Sequence, residues 1–120
     1  MSQQVKVYRE LQLRDKAKIV GAGSATSTAG AATINKTAGQ ITTESLTTAA
    51  GSTYTMTLTN SLVKATSIVL VTVGKGSATA GEPVVQFVTP VAGSVVILIK
   101  NVASVALNGT IKIGFVVFNA

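Results

Sequence analysis

Three runs of this chain, residues 67–73, 83–89 and 93–100, are apolar on both of their alternating faces and rich in Val and Ile. A run of this length suits a strand and is too short for a buried helix, and β-branched side chains favour the pleated backbone. Such runs predict strands covered from two sides. A fourth, Tyr54-Thr55-Met56-Thr57-Leu58-Thr59, alternates strictly, with Tyr54, Met56 and Leu58 on one face and threonines on the other. That is the pattern of a half-buried strand. Residues 110–118 close the chain with Ile111, Ile113, Phe115 and Val117 in phase. Asn108-Gly109 just before them is a strong hairpin signal, because both residues tolerate positive φ. It is expected to join a strand ending near Leu107 to the last one.

Further punctuation falls at Gly51-Ser52, Gly74-Lys75-Gly76-Ser77, Gly81-Glu82-Pro83 and residues 90–93, the spacing of a sandwich or barrel. The first forty residues differ. Val5, Val7, Leu11 and Leu13 share the odd positions, so residues 4–14 can form a long strand; a helix over 7–18 presents a poorer face. Residues 21–30 are small and linker-like, and 31–36 and 40–46 read as two short strands around Thr37-Ala38-Gly39. The expected organisation is an N-terminal arm and flexible hinge over residues 1–30 and a β-sandwich domain over 31–120. The fold class expected is all-β, an antiparallel jelly-roll-like β-sandwich of about eight strands with an extended N-terminal arm.

The chemistry available to such a domain is narrow. The chain has neither Cys nor His, and its four acids, Glu10, Asp15, Glu44 and Glu82, sit in unrelated segments. Paired carboxylates and the preferred zinc ligands are therefore lacking, although an oxygen-only calcium site from loop carbonyls plus one acid stays open. A Ser or Thr nucleophile would have only Lys as its base. Gly74-Lys75-Gly76-Ser77 lacks the Gly-Lys-Ser/Thr order of a phosphate loop. The expectation is no enzyme, no catalytic residue, no metal and no cofactor.

At 120 residues the chain fits one domain. The start has no apolar signal region, and runs such as Val95-Val96-Ile97-Leu98-Ile99 fall far short of the ~20 residues of a spanning helix. The chain is thus expected to be made soluble in a cytoplasm, without a membrane partner. Its net charge is +6, and five of its ten basic residues, Lys6, Arg9, Arg14, Lys16 and Lys18, lie within the first 18 positions, partly offset by Glu10 and Asp15. Aromatics make up only 4%, and Tyr54, Phe87, Phe115 and Phe118 sit in strands where core packing is expected. Single-strand binders interleave exposed aromatics with basic residues, so no nucleic-acid partner is expected. An arm that docks on protein is the preferred reading. Val5, Val7, Leu11 and Leu13 would supply its apolar contacts, and Arg9, Arg14, Lys16 and Lys18 would meet an acidic surface.

Burial supplies the positive argument. Two stacked sheets bury only one face each, so strands apolar on both faces would leave a monomer with a contiguous apolar patch. Charged residues, at 12%, do little to keep copies apart. Closure into a cyclic homo-oligomer removes the patch.

From about Ala31 onward the chain resembles small domains of tailed-phage virions. The resemblance is carried by Thr33-Ile34-Asn35-Lys36, by Ile41-Thr42-Thr43-Glu44-Ser45-Leu46-Thr47-Thr48-Ala49-Ala50-Gly51, by residues 54–62, and by Ala106-Leu107-Asn108-Gly109-Thr110-Ile111 through Phe118. Such domains occur in capsid decoration (cement) proteins, head fibres and the ends of tail fibres. The resemblance implies antiparallel sandwiches that assemble as trimers, and a structural virion protein on the capsid surface. Its partners would be other copies of itself and the major capsid protein or another virion protein, whose shell it would stabilise by added contacts. The alternative it implies is a receptor- or glycan-binding domain of a tail or head fibre.

Overall fold

The computed structural model describes residues 22–119. Along the chain lie β1 (Gly23–Thr26), β2 (Ala31–Thr33), β3 (Ala38–Thr42), β4 (Thr53–Thr59), β5 (Ile68–Lys75), β6 (Pro83–Val91), β7 (Ser94–Asn101) and β8 (Ile111–Phe118), with no helix among the described residues. They form two four-stranded sheets. The first runs β1-β3-β8-β5 and the second β2-β4-β7-β6.

The apolar periodicity decides which face of each strand turns inward. In the second sheet Met56 pairs with Ile97 and Leu58 with Val95 on the inner face, and these four side chains are fully buried. In the first, Ile41, Ile113 and Val73 lie side by side across three strands, with Val71 opposite Phe115 and Val69 opposite Val117. The inner faces of both sheets belong to one apolar cluster. Each fully buried Ile, Leu or Val side chain contributes about 1.5–3 kcal/mol of transfer free energy, so this shared core is what holds the two sheets together.

The pairing departs from the antiparallel jelly-roll pattern expected. Four ladders are antiparallel, but β1 runs parallel to β3 and β2 parallel to β4. The reason is the order in which the chain visits the sheets. From β1 to β4 it changes sheet at every step and reverses direction each time. Strands two apart therefore return to the same sheet pointing the same way, and the intervening strand serves as the crossover that parallel pairing requires.

Two further expectations change. The part of the 21–30 stretch that is described holds β1, paired to β3 over its whole length, where a hinge was expected. Small side chains suit this place, because Gly23 lies so close to Ile34 that a Cβ would sit 2.7 Å from it. No strand ends near Leu107, and Asn108-Gly109 is not a hairpin turn, since β7 crosses to the other sheet to reach β8. Instead Asn108 Oδ1 accepts from the backbone N–H groups of Thr79 and Ala80, and Gly109 packs against Ser77 and Ala78. The pair fastens two loops to each other. The tight hairpin lies between β6 and β7, where Val91 faces Ser94 and Gly93 takes φ +83° at the second loop position.

Candidate interaction surface

The outer face of the β4–β7–β6 sheet changes character from one strand to the next. Thr53, Thr55, Thr57 and Thr59 point outward from β4, Val96 and Leu98 from β7, and Val84, Phe87 and Val91 from β6. Phe87 is 60% exposed. Its orientation is set by a bulge: the register shifts between Val85 and Phe87, so Gln86 has no opposite residue on β7. Before the bulge Val85 faces the core; after it Val88 does, and Phe87 is turned outward. A bulge re-aims the side chains that follow it.

The outer face of the other sheet is also divided. Ile68 and Leu70 on β5 and Phe118 on β8 are 64%, 57% and 51% exposed, with Ile68 directly opposite Phe118 and Leu70 opposite Val116. Toward β1 the same face becomes polar, with Ser24, Thr26, Gln40, Thr42 and Lys112. Between the two halves lies a shallow groove of about 570 Å³, lined by Ala38, Gln40, Leu70, Thr72, Gly114 and Val116 among others. Gly114 creates it by having no side chain between Gln40 and Thr72, and a Cβ there would meet the Thr72 hydroxyl at 2.8 Å.

These placements correct the reading of the aromatic residues. Phe115 is buried and Tyr54 packs against the core, but Phe87 and Phe118 lie on the surface. Parity could not reveal this for Phe87, because Val84, Val85, Phe87 and Val88 are all apolar and the phase change at Gln86 leaves no polar residue out of step.

Polar side chains are used to tie loops to strands. Glu44, just past β3, accepts through Oε1 from the hydroxyls of Ser27 and Tyr54 (3.1 Å for the latter) and through Oε2 from the Gly30 N–H at 2.9 Å. This holds the β1–β2 turn, in which Ala29 and Gly30 both have positive φ, against β4. Partial burial pushes the Glu44 carboxyl up, but hydrogen bonds from Ser27, its own backbone, Tyr54 and Gly30 outweigh it and leave it below the ordinary value. The Tyr54 hydroxyl is pushed up to about 12, chiefly by burial; the hydrogen bond with Ser27 opposes this, and the charge and hydrogen bond of Glu44 add to it. Asn101, fully buried at the end of β7, accepts from the N–H groups of Glu82 and Ala103 and donates to the carbonyls of Thr48 and Val105. Among the described residues no buried side-chain polar atom is left without a partner.

The arm residues singled out in the sequence, Val5, Val7, Arg9, Leu11, Leu13, Arg14, Lys16 and Lys18, lie outside the described residues. The exposed apolar faces were foreseen only as a general excess of two-faced strands; the residues that form them depend on strand order and on the bulge. No family model, curated protein or solved structure matches this chain.

Proposed function

We propose that this chain is a non-enzymatic structural protein, a β-sandwich that associates with copies of itself through its outer sheet faces. One observation carries the reading. Ile68, Leu70 and Phe118 adjoin on one sheet, and on the other Val84 and Phe87 adjoin across the bulge, with Val91 beyond Thr89; all six are exposed large apolar side chains. Contiguous apolar patches mark interaction surfaces. Polar side chains, by contrast, are spent on fastening loops, as Glu44, Asn101 and Asn108 do.

Within that class, the role we favour is decoration of a virion capsid shell, the role that the sequence resemblance implies. Added contacts between shell subunits raise the free energy needed to separate them, so no catalysis is required. The mass of the purified protein in solution tests self-association, and a monomer at micromolar concentration would refute it. Purified capsids mixed with the protein test the shell role. Binding that raises the temperature of capsid disruption, and that is lost when residues 1–20 are deleted, is the expected result. Capsids that neither bind it nor gain stability would exclude decoration.

The exposed ring of Phe87 favours a second reading, a fibre domain that binds glycan, because sugars stack on aromatic faces. A glycan-array signal lost in Phe87→Ser would support it.

A further inference from the structure

The two sheets end side by side in strands whose free edges are built differently. β6, at the edge of the second sheet, carries Pro83, Pro90 and the Gln86 bulge. Prolines and bulges are the devices by which natural edge strands prevent further pairing. β5, at the edge of the first sheet, has none of them. Its ladder to β8 is unbroken from Ile68–Phe118 to Lys75–Ile111, and its first seven residues, Ile-Val-Leu-Val-Thr-Val-Gly, carry no charge. β6 runs beside β5 but forms no ladder with it. An uncharged, regular, β-branched edge is the kind that accepts another strand.

We propose that β5 pairs antiparallel with β5 of a second copy, joining two four-stranded sheets into one of eight strands. The proposal rests on the self-association argued above and names the surface and symmetry of the contact. A second copy is the occupant that the charges favour, because β5 is self-complementary under a two-fold rotation. With the axis near Val71, Leu70 stands opposite Thr72 of the other copy, and Lys75 opposite Ser67. No lysine of the strand then faces its own image, as one would if two β5 strands paired in parallel and in register. The pairing also brings the exposed Ile68, Leu70 and Phe118 of each copy alongside the seam. Such an isologous contact closes after two copies, whereas the trimer implied by the resemblance closes after three.

The test uses the full chain. Its solution mass should be an even multiple of 12.1 kDa. The double substitution I68K/L70K, at two exposed positions flanking the seam, should weaken the dimer on the order of a hundredfold while far-UV circular dichroism stays unchanged. S24K on β1, an exposed position at the opposite edge of the same sheet, should leave the mass unaltered. Because the chain has no Cys, single cysteines give a second reading that keeps the wild-type charge. L70C mixed with T72C should cross-link under oxidised glutathione, and S24C should not. A three-fold mass, an oligomer indifferent to I68K/L70K, or S24C cross-linking as readily as the β5 pair would each overturn the β5 contact and leave self-association standing. A monomeric wild type would remove the broader reading as well.

Discussion

Phe87 stands opposite Leu98 on the outer face of the β6–β7 ladder, one residue out of step with Val85, which stands opposite Ile99 on the inner face. One unpaired residue, Gln86, separates the two arrangements. Removing Gln86 leaves Val85 opposite Ile99, Phe87 opposite Leu98 and Val88 opposite Ile97 in continuous register, so Phe87 should stay on the outer face. The deleted residue is the unpaired one of the bulge, so the denaturant midpoint should move by no more than the equivalent of about 0.5 kcal/mol. Phe87→Ser removes a ring that is already mostly in water and should change stability by no more than about 0.5 kcal/mol. Chemical denaturation of the two variants checks both, and a clear loss of stability in Phe87→Ser would mean that Phe87 is a packing residue.

Asn101 closes β7 by satisfying four backbone groups from three separate loops. Asn101→Ala removes all four bonds, and although the Thr48 carbonyl keeps the Leu107 N–H, the loss should cost roughly 1–3 kcal/mol. Asn101→Asp keeps an acceptor for the Glu82 and Ala103 N–H groups but points a second oxygen at the Thr48 and Val105 carbonyls. It should therefore be no better than Ala at neutral pH and recover in acid, where the carboxyl can donate. Melting temperatures at two pH values check this.

The strands that the sequence announces are those whose inner face is wholly apolar. β4, β5, β6, β7 and β8 all fall on expected runs, because Tyr54-Met56-Leu58 and Ile111-Ile113-Phe115-Val117 leave one inward phase. What escapes is set by partners rather than by period. β1 is four small residues whose strand character comes only from lying beside β3. The parallel pairs follow from the order of sheet crossings, which no local pattern encodes. Asn108-Gly109 has turn chemistry, yet its side chain and its lack of one are used against Thr79 and Ala78. The surface was legible as excess apolarity, but its outline around Phe87 needed the bulge.

Gly109 and Gly74 offer a paired test of that last contrast. A Cβ on Gly109 would sit 2.8 Å from the backbone N of Ala78 and 3.0 Å from its Cα, atoms that cannot turn aside. Gly109→Ala should therefore cost about 2 kcal/mol. At Gly74, inside β5, a Cβ meets nothing within 4 Å and φ is not positive. Gly74→Ala should raise stability by roughly 0.5 kcal/mol, by reducing the freedom of the unfolded chain. Opposite signs in denaturant unfolding are the expected outcome, and a neutral Gly109→Ala would show that the two loops do not pack as described.

Glu44 gives the fold a dependence on acid. Its carboxylate is held below the ordinary value of 4.5 by donors from Ser27, Tyr54 and Gly30, in spite of the opposing effect of burial. A group whose folded value is depressed stabilises above its unfolded value and loses that contribution as pH falls through the folded one. Stability should therefore decline below about pH 4.5, as the proton displaces those donors. Glu44→Gln removes the titration and turns an amide toward at least one donor, so it should weaken the protein at neutral pH and matter less in acid. Denaturant midpoints of the two proteins should be well separated at pH 7 and converge toward pH 3. Curves that stay parallel would assign the acid dependence to other carboxyls.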